Sequence, residues 1–126
     1  MTTAQLIMIA DADPFVREMV GRFVEDGGYA VCFAVDGYDA LDKARKVPPA
    51  AIIADLMLPR LDGLALCRIL KSDPAVNEIV SVIISSVLSV EERAKTAGAS
   101  AFLQKPLEKS RLLNVLKTAI FTGGAT

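Results

Sequence analysis

The chain has 126 residues, 52% hydrophobic and 23% charged, with fourteen basic side chains against fifteen acidic ones and a net charge of -1. That length fits one domain with a real core and leaves no room for a second, and a balanced charge without a basic stripe argues against nucleic acid as a direct partner. Histidine is absent, which removes histidine triads, the usual zinc sets and any phosphohistidine carried by this chain.

The longest apolar runs, such as Leu6 to Ala10, fall far short of the roughly 20 residues that span a bilayer. No basic region precedes a long apolar one at the N-terminus, so neither secretion nor membrane insertion is expected and a cytoplasmic location is. Cys32 and Cys67 are isolated, with no CxxC, and read as small buried hydrophobes in a reducing compartment.

Gln5 to Ala10 (QLIMIA) is apolar almost throughout and predicts a central strand. It ends in Asp11-Ala12-Asp13-Pro14, where Asp13 and Pro14 suit the N-cap and first position of a helix. That helix carries Phe15, Val16, Met19, Val20, Phe23 and Val24 as one apolar stripe and closes at Gly27-Gly28. Tyr29 to Val35 predicts a second strand. Asp36-Gly37 then turns into a helix over about Tyr38 to Val47, with Ala40, Leu41 and Ala44 inward and Pro48-Pro49 as its stop.

Ala50 to Ala54 is a short apolar run that ends abruptly in Asp55, as a strand buried on both faces would. Pro59 and Asp62-Gly63 follow, and a third helix over about Leu64 to Lys71 buries Leu66, Cys67 and Leu70. Ile79 to Ile84 predicts the fourth strand, ended by Ser85-Ser86. Ser89 with Glu92 reads as a capping box for a short helix that runs to Ala97, with Gly98 at its C-terminal cap. Ser100 to Leu103 predicts the fifth strand, ended by Gln104-Lys105-Pro106. A last helix over about Glu108 to Phe121 presents Leu112, Leu113, Leu116 and Ile120 on one face. Residues 1–121 thus form one domain, and 122–126 read as a flexible tail or linker remnant.

Five strands alternate with five helices, and right-handed βα crossovers make this a doubly wound parallel α/β sheet. In such sheets ligands bind at the carboxyl ends of the strands. That rim collects Asp11, with Asp13 close by, then Asp55, Ser85 and Lys105. Each alone has a plain reading, as a strand-ending acid, a turn former or a surface lysine. Together they describe oxygen ligands for a hard divalent cation such as magnesium, with a lysine and a hydroxyl placed to meet an anion at Asp55. A carboxylate in that setting can act as nucleophile towards a phosphoryl group.

With those residues in view, the chain resembles the receiver domain of bacterial two-component response regulators over essentially residues 5 to 121, a flavodoxin-like fold of chemotaxis type. The segments that carry the resemblance are IMIADADP, DLMLPRLDG around Asp55, VIISS around Ser85 and GASAFLQKP through Lys105-Pro106. The resemblance implies that Asp55 is the phosphoacceptor and that Asp11, Asp55 and the Met57 backbone carbonyl serve magnesium. It implies that Ser85 and Lys105 bind the phosphoryl group, that Lys105-Pro106 is cis, and that Ser85 and Phe102 form a conformational switch. It further implies a signalling domain rather than an enzyme, at most catalysing its own phosphorylation and dephosphorylation. A histidine kinase or phosphotransfer protein would be the phosphodonor, and a downstream protein or fused output domain the target. Monomer or weak dimer is the expected state.

Three departures from the family pattern stand out. Ala12 replaces the second of two adjacent acids, leaving Asp13 as the one candidate substitute ligand and predicting weak magnesium affinity and slower phosphorylation. The stretch from Ser85 to Gly98 is about two residues shorter than usual in the family, which predicts a trimmed fourth helix and puts an ordinary dimer through that face in doubt. Met57 and Val87, two residues after Asp55 and Ser85, are apolar and cannot orient a hydrolytic water. Ala12 keeps a second reading open, a degenerate receiver that docks partners without phosphorylation. A nucleotide- or flavin-binding enzyme is disfavoured, because Asp13-Pro14 stands where a glycine-rich loop would.

Overall fold

A computed structural model gives the fold over residues 4–124. The elements are β1 (Leu6–Ala10), α1 (Pro14–Asp26), β2 (Ala30–Ala34), α2 (Gly37–Lys46), β3 (Ala51–Asp55) and α3 (Gly63–Ser72). They continue as β4 (Val80–Ser85), a 3-10 turn (Leu88–Val90), α4 (Glu91–Thr96), β5 (Ala101–Gln104) and α5 (Lys109–Gly124). All neighbouring strands pair in parallel in one sheet of order β2-β1-β3-β4-β5. The predicted doubly wound sheet is therefore present, with boundaries displaced by a residue or two at most elements.

The alternation of strand side chains divides the core in two. Met8, Ala10, Ile52, Ala54 and Ile83 point to the face covered by α2, α3 and α4. Ile7, Ile9, Ala51, Ile53, Val82 and Ile84 point to the face covered by α1 and α5. Because β1, β3 and β4 are sandwiched between these layers, they are apolar at nearly every position, and Ile7 to Ala10 are fully buried. From β1 the chain crosses to β2 on one side, then returns past β1 to β3 on the other, so the strand order reverses between adjacent strands β1 and β3 while all strands stay parallel. Ala10 pairs with Ala54 there, and Asp11 and Asp55 follow directly. Among the described residues, no helix is long and apolar enough to cross a membrane.

Asp13, Asp36 and Asp62 cap α1, α2 and α3, each side chain accepting a backbone N–H from the first turn. Gly98 lies at φ +98°, with its N–H bonded to Lys95 O and that of Ala99 to Ala94 O, a Schellman closure of α4.

Four expectations need correction. Phe15 does not join the buried stripe of α1: it is 73% exposed, because at about 100° per residue it lies roughly 140° around the helix from the buried Val20 and roughly 180° from Val24, whereas Val16 packs against the core. The Ser89 capping box does not form. The short connection draws Ser89 into the 3-10 turn, α4 starts at Glu91 without a side-chain cap, and Glu92 faces solvent beside Lys95. Cys32 is half-buried rather than buried, since β2 is an edge strand, whereas Cys67 is buried as expected. The last helix runs on to Gly124, past the predicted end at Phe121, as glycine disfavours a helix by only about 1 kcal/mol and no proline stops it. The remainder of the expected tail, 125–126, lies outside the described residues.

Candidate functional site

Asp11 extends the ladder beyond β1, its N–H donating to Ala34 O at 3.2 Å. Its side chain is 2% exposed. One carboxylate oxygen accepts the Asp13 N–H at 2.9 Å, and the other lies 3.2 Å from the Lys105 ammonium. Asp55 ends β3 with its side chain 15% exposed. Its Oδ1 accepts the Met57 N–H at 3.3 Å, and its Oδ2 lies 3.4 Å from the same Lys105 Nζ. A single ammonium therefore bridges two carboxylates delivered by neighbouring strands. Two like charges in a half-dry cleft are tolerated because a cation lies between them.

Lys105 directly follows the end of β5 at Gln104, and its bond to Pro106 is cis, as the resemblance implies. Its own N–H donates to Ser85 O at 2.8 Å, tying the start of the turn to the end of β4. Ser85 stands one residue beyond Ile84, the register partner of Asp55. Its hydroxyl is buried and accepts the Val87 N–H at 3.0 Å. Phe102 lies on β5, half-buried against the core layer of α2, α3 and α4. Met57 and Val87 are both exposed at the rim.

Asp13 spends its carboxylate as the α1 cap, accepting the Phe15 N–H at 2.9 Å. Arg17, one turn into α1, donates to Asp11 O at 2.7 Å and Ala12 O at 3.1 Å. Sequence reasoning missed Arg17. A long cation one turn after an N-cap, able to reach back over the preceding loop, was the available signal. Among the described residues, no group of three or more acids or cysteines stands close enough to hold a metal ion. Burial pushes the pKa of both thiols, Cys32 and Cys67, above the usual cysteine value, so neither is primed as a nucleophile.

The family model described as the response regulator receiver domain matches residues 7–117. The chain belongs to this family.

Similar proteins agree with that assignment. The response regulator MprA of Mycobacterium sp. strain KMS is 38% identical over 109 residues, covering 85% of this chain and 46% of MprA. MprA of Mycobacterium avium strain 104 is likewise 38% identical, with 47% of its length covered. This receiver domain thus spans less than half the length of those relatives. A putative response regulator from Chloroflexus aurantiacus J-10-fl superimposes with a TM-score of 0.91 at 29% identity, covering 94% of this chain and 99% of that one. The chemotaxis response regulator CheY4 of Vibrio cholerae gives 0.85 at 28% identity, covering 93% and 99%. The receiver domain of Brucella abortus NtrX gives 0.85 at 30% identity, covering 92% and 98%.

Proposed function

We propose that this receiver domain accepts a phosphoryl group on Asp55 and so switches a partner-binding surface in two-component signal transduction. The observation that supports this reading is the Lys105 ammonium, 3.2 Å from Asp11 and 3.4 Å from Asp55. A carboxylate beside a fixed cation at the rim of an open α/β sheet suits attack on a phosphoryl donor. An Asp55 oxygen attacks phosphorus, the bond from phosphorus to the donor breaks, and the donor leaves with that electron pair. The product is an acyl phosphate. Lys105 meets a phosphoryl oxygen, as does the Ser85 hydroxyl, whose O–H can donate while its oxygen accepts the Val87 N–H. Ser85 and Phe102 then shift together, changing the relative populations of two conformations.

The oxygen donors present fit magnesium in kind. Asp11, Asp55 and the Met57 backbone carbonyl would hold it, and when bound it neutralises charge on the phosphoryl oxygens. The set is thin, because Ala12 brings no carboxylate, its carbonyl is taken by Arg17, and Asp13 is occupied as a cap. Converting Ala12 to aspartate is therefore expected to tighten magnesium binding by about tenfold, equivalent to about 1.4 kcal/mol. Calorimetric titration of the two proteins measures this, and equal affinities would show that position 12 does not limit the site.

The phosphodonor is a histidine kinase or phosphotransfer protein, the target a downstream protein or fused output domain, and the location cytoplasmic. The domain catalyses no reaction beyond its own phosphorylation and dephosphorylation. A monomer or weak dimer fits the six-residue α4. The apolar, exposed flanks Met57 and Val87 cannot hold a water in line, so the acyl phosphate is expected to persist for minutes or longer; loss within seconds in a phosphate-release assay would contradict this.

Ala12 favours a second reading, docking of partners without phosphorylation. Intact-mass measurement after acetyl phosphate and magnesium separates the two. Gain of one phosphoryl mass, mapped by fragmentation to Asp55, supports the first, and no gain under any donor supports the second.

A further inference from the structure

The loop between β3 and α3 carries Met57, whose N–H holds the Asp55 carboxylate, and that loop rests on the first residues of α2. Three residues of the β2–α2 junction grip three residues of the loop. The Gly37 N–H donates to Pro59 O at 3.3 Å. Arg60, the one described non-glycine residue at positive φ (69°), sets its guanidinium 5.5 Å from the centre of the Tyr38 ring and 3.6 Å from Asp36 Oδ2. Closest of all is Leu61. A Cβ added at Gly37 would stand 1.9 Å from the Leu61 carbonyl oxygen and 2.5 Å from its Cβ. Gly37 is thus required for space, since backbone meets backbone there and no side-chain rotation can relieve the contact.

We propose that Gly37 is a positioning residue for Asp55: it lets the Pro59–Leu61 segment lie directly on the N-terminus of α2, which fixes the loop so that the Met57 N–H holds the Asp55 carboxylate. Its consequence for phosphorylation rests on the reading of Asp55 as phosphoacceptor, whereas the geometric part stands without it. The far end of the loop is pinned by Gly63, whose N–H donates to Leu56 O at 3.0 Å and where a Cβ would stand 2.6 Å from the Asp55 carbonyl. With that end held, a push at Leu61 is transmitted through the short span that contains Met57. Any Cβ at Gly37 must displace Leu61 by more than about 1 Å to restore an ordinary contact. A displacement of about 1 Å in a reacting group can cost roughly a hundredfold in rate.

The test compares Gly37→Ala, a Tyr38→Ala/Arg60→Ala double variant that loosens the same grip without adding an atom, and Val24→Ala as a destabilised control in the opposite core layer. Two readouts are taken on each full chain: the Met57 amide proton and Asp55 carboxyl carbon chemical shifts without donor, and the rate of mass gain with saturating acetyl phosphate. Gly37→Ala is expected to move both shifts and slow uptake by about a hundredfold, the double variant to move them in the same direction with a several-fold loss, and Val24→Ala to leave both unchanged. If Gly37→Ala does not fold, the double variant decides. Native Met57 and Asp55 shifts in the folded variants would overturn the proposal, as would equal shift changes in Val24→Ala. Failure of the unaltered chain to gain mass would count against the phosphoacceptor reading alone, since the shifts still report the positioning.

Discussion

Replacing Lys105 with methionine is expected to slow phosphoryl uptake at Asp55 by about a hundredfold while magnesium binding becomes about tenfold tighter. The two effects run in opposite directions because one ammonium serves both carboxylates, at 3.2 and 3.4 Å. Methionine keeps an unbranched stem of similar length and removes the charge. Without that charge Asp11 and Asp55 face each other with only backbone N–H groups to offset them, from Asp13 and Met57. A unit charge at about 4 Å is worth about 1 kcal/mol in water and about 4 kcal/mol near a protein surface, so the more negative cleft attracts a divalent cation more strongly. The incoming phosphoryl group, in contrast, loses the cation aimed at its developing charge, a loss that commonly costs 10²–10³ in rate, or about 2.7–4 kcal/mol. Calorimetry with magnesium and an intact-mass time course with acetyl phosphate read the two quantities independently. An unchanged uptake rate would remove Lys105 from the proposed chemistry, and weakened magnesium binding would mean that it does not compete for the carboxylates.

Truncating Leu116 to alanine is expected to cost about 3–5 kcal/mol of folding stability. Leu116 is fully buried on α5, in the layer that also holds Ile7, Ile9, Ile53 and Leu112. The lost isopropyl group leaves a cavity that strand β4, against which α5 packs, cannot collapse into, because its backbone is fixed by pairing on both sides. Since single domains are stable by only about 5–15 kcal/mol, much of the margin would be lost. Phe121, on the same helix but 79% exposed, sets the comparison: its truncation is expected to change stability by less than about 0.5 kcal/mol. Urea unfolding of the two variants measures both, and a Leu116→Ala loss below about 1 kcal/mol would mean that α5 is not anchored through this residue.

Several layers of this protein were legible in its residues. Buried parallel strands need apolar side chains on both faces, so IVSVII and AAIIA announced themselves without reference to anything distant. Asp13, Asp36 and Asp62 act on amides only two or three residues away, and local caps of this kind can be read from local sequence. The rim residues could be named because a doubly wound sheet leaves one end for polar groups, and Asp11, Asp55 and Ser85 directly follow apolar runs while Lys105 follows one after Gln104. Ser89 failed the same local logic. It has the spacing of a capping box, but the length of the β4–β5 connection, a tertiary constraint, draws it into a tight turn.

What the chain specified by itself was therefore the set of elements, their order and the identity of the polar residues at strand ends, all governed by side-chain periodicity and neighbouring amides. Only the folded structure decided that one lysine touches both acids and that Gly37 leaves room for Leu61. These are contacts between backbone or charged atoms far apart in the chain. Their geometry is set by how strands and loops stack, and no local pattern of residues encodes it.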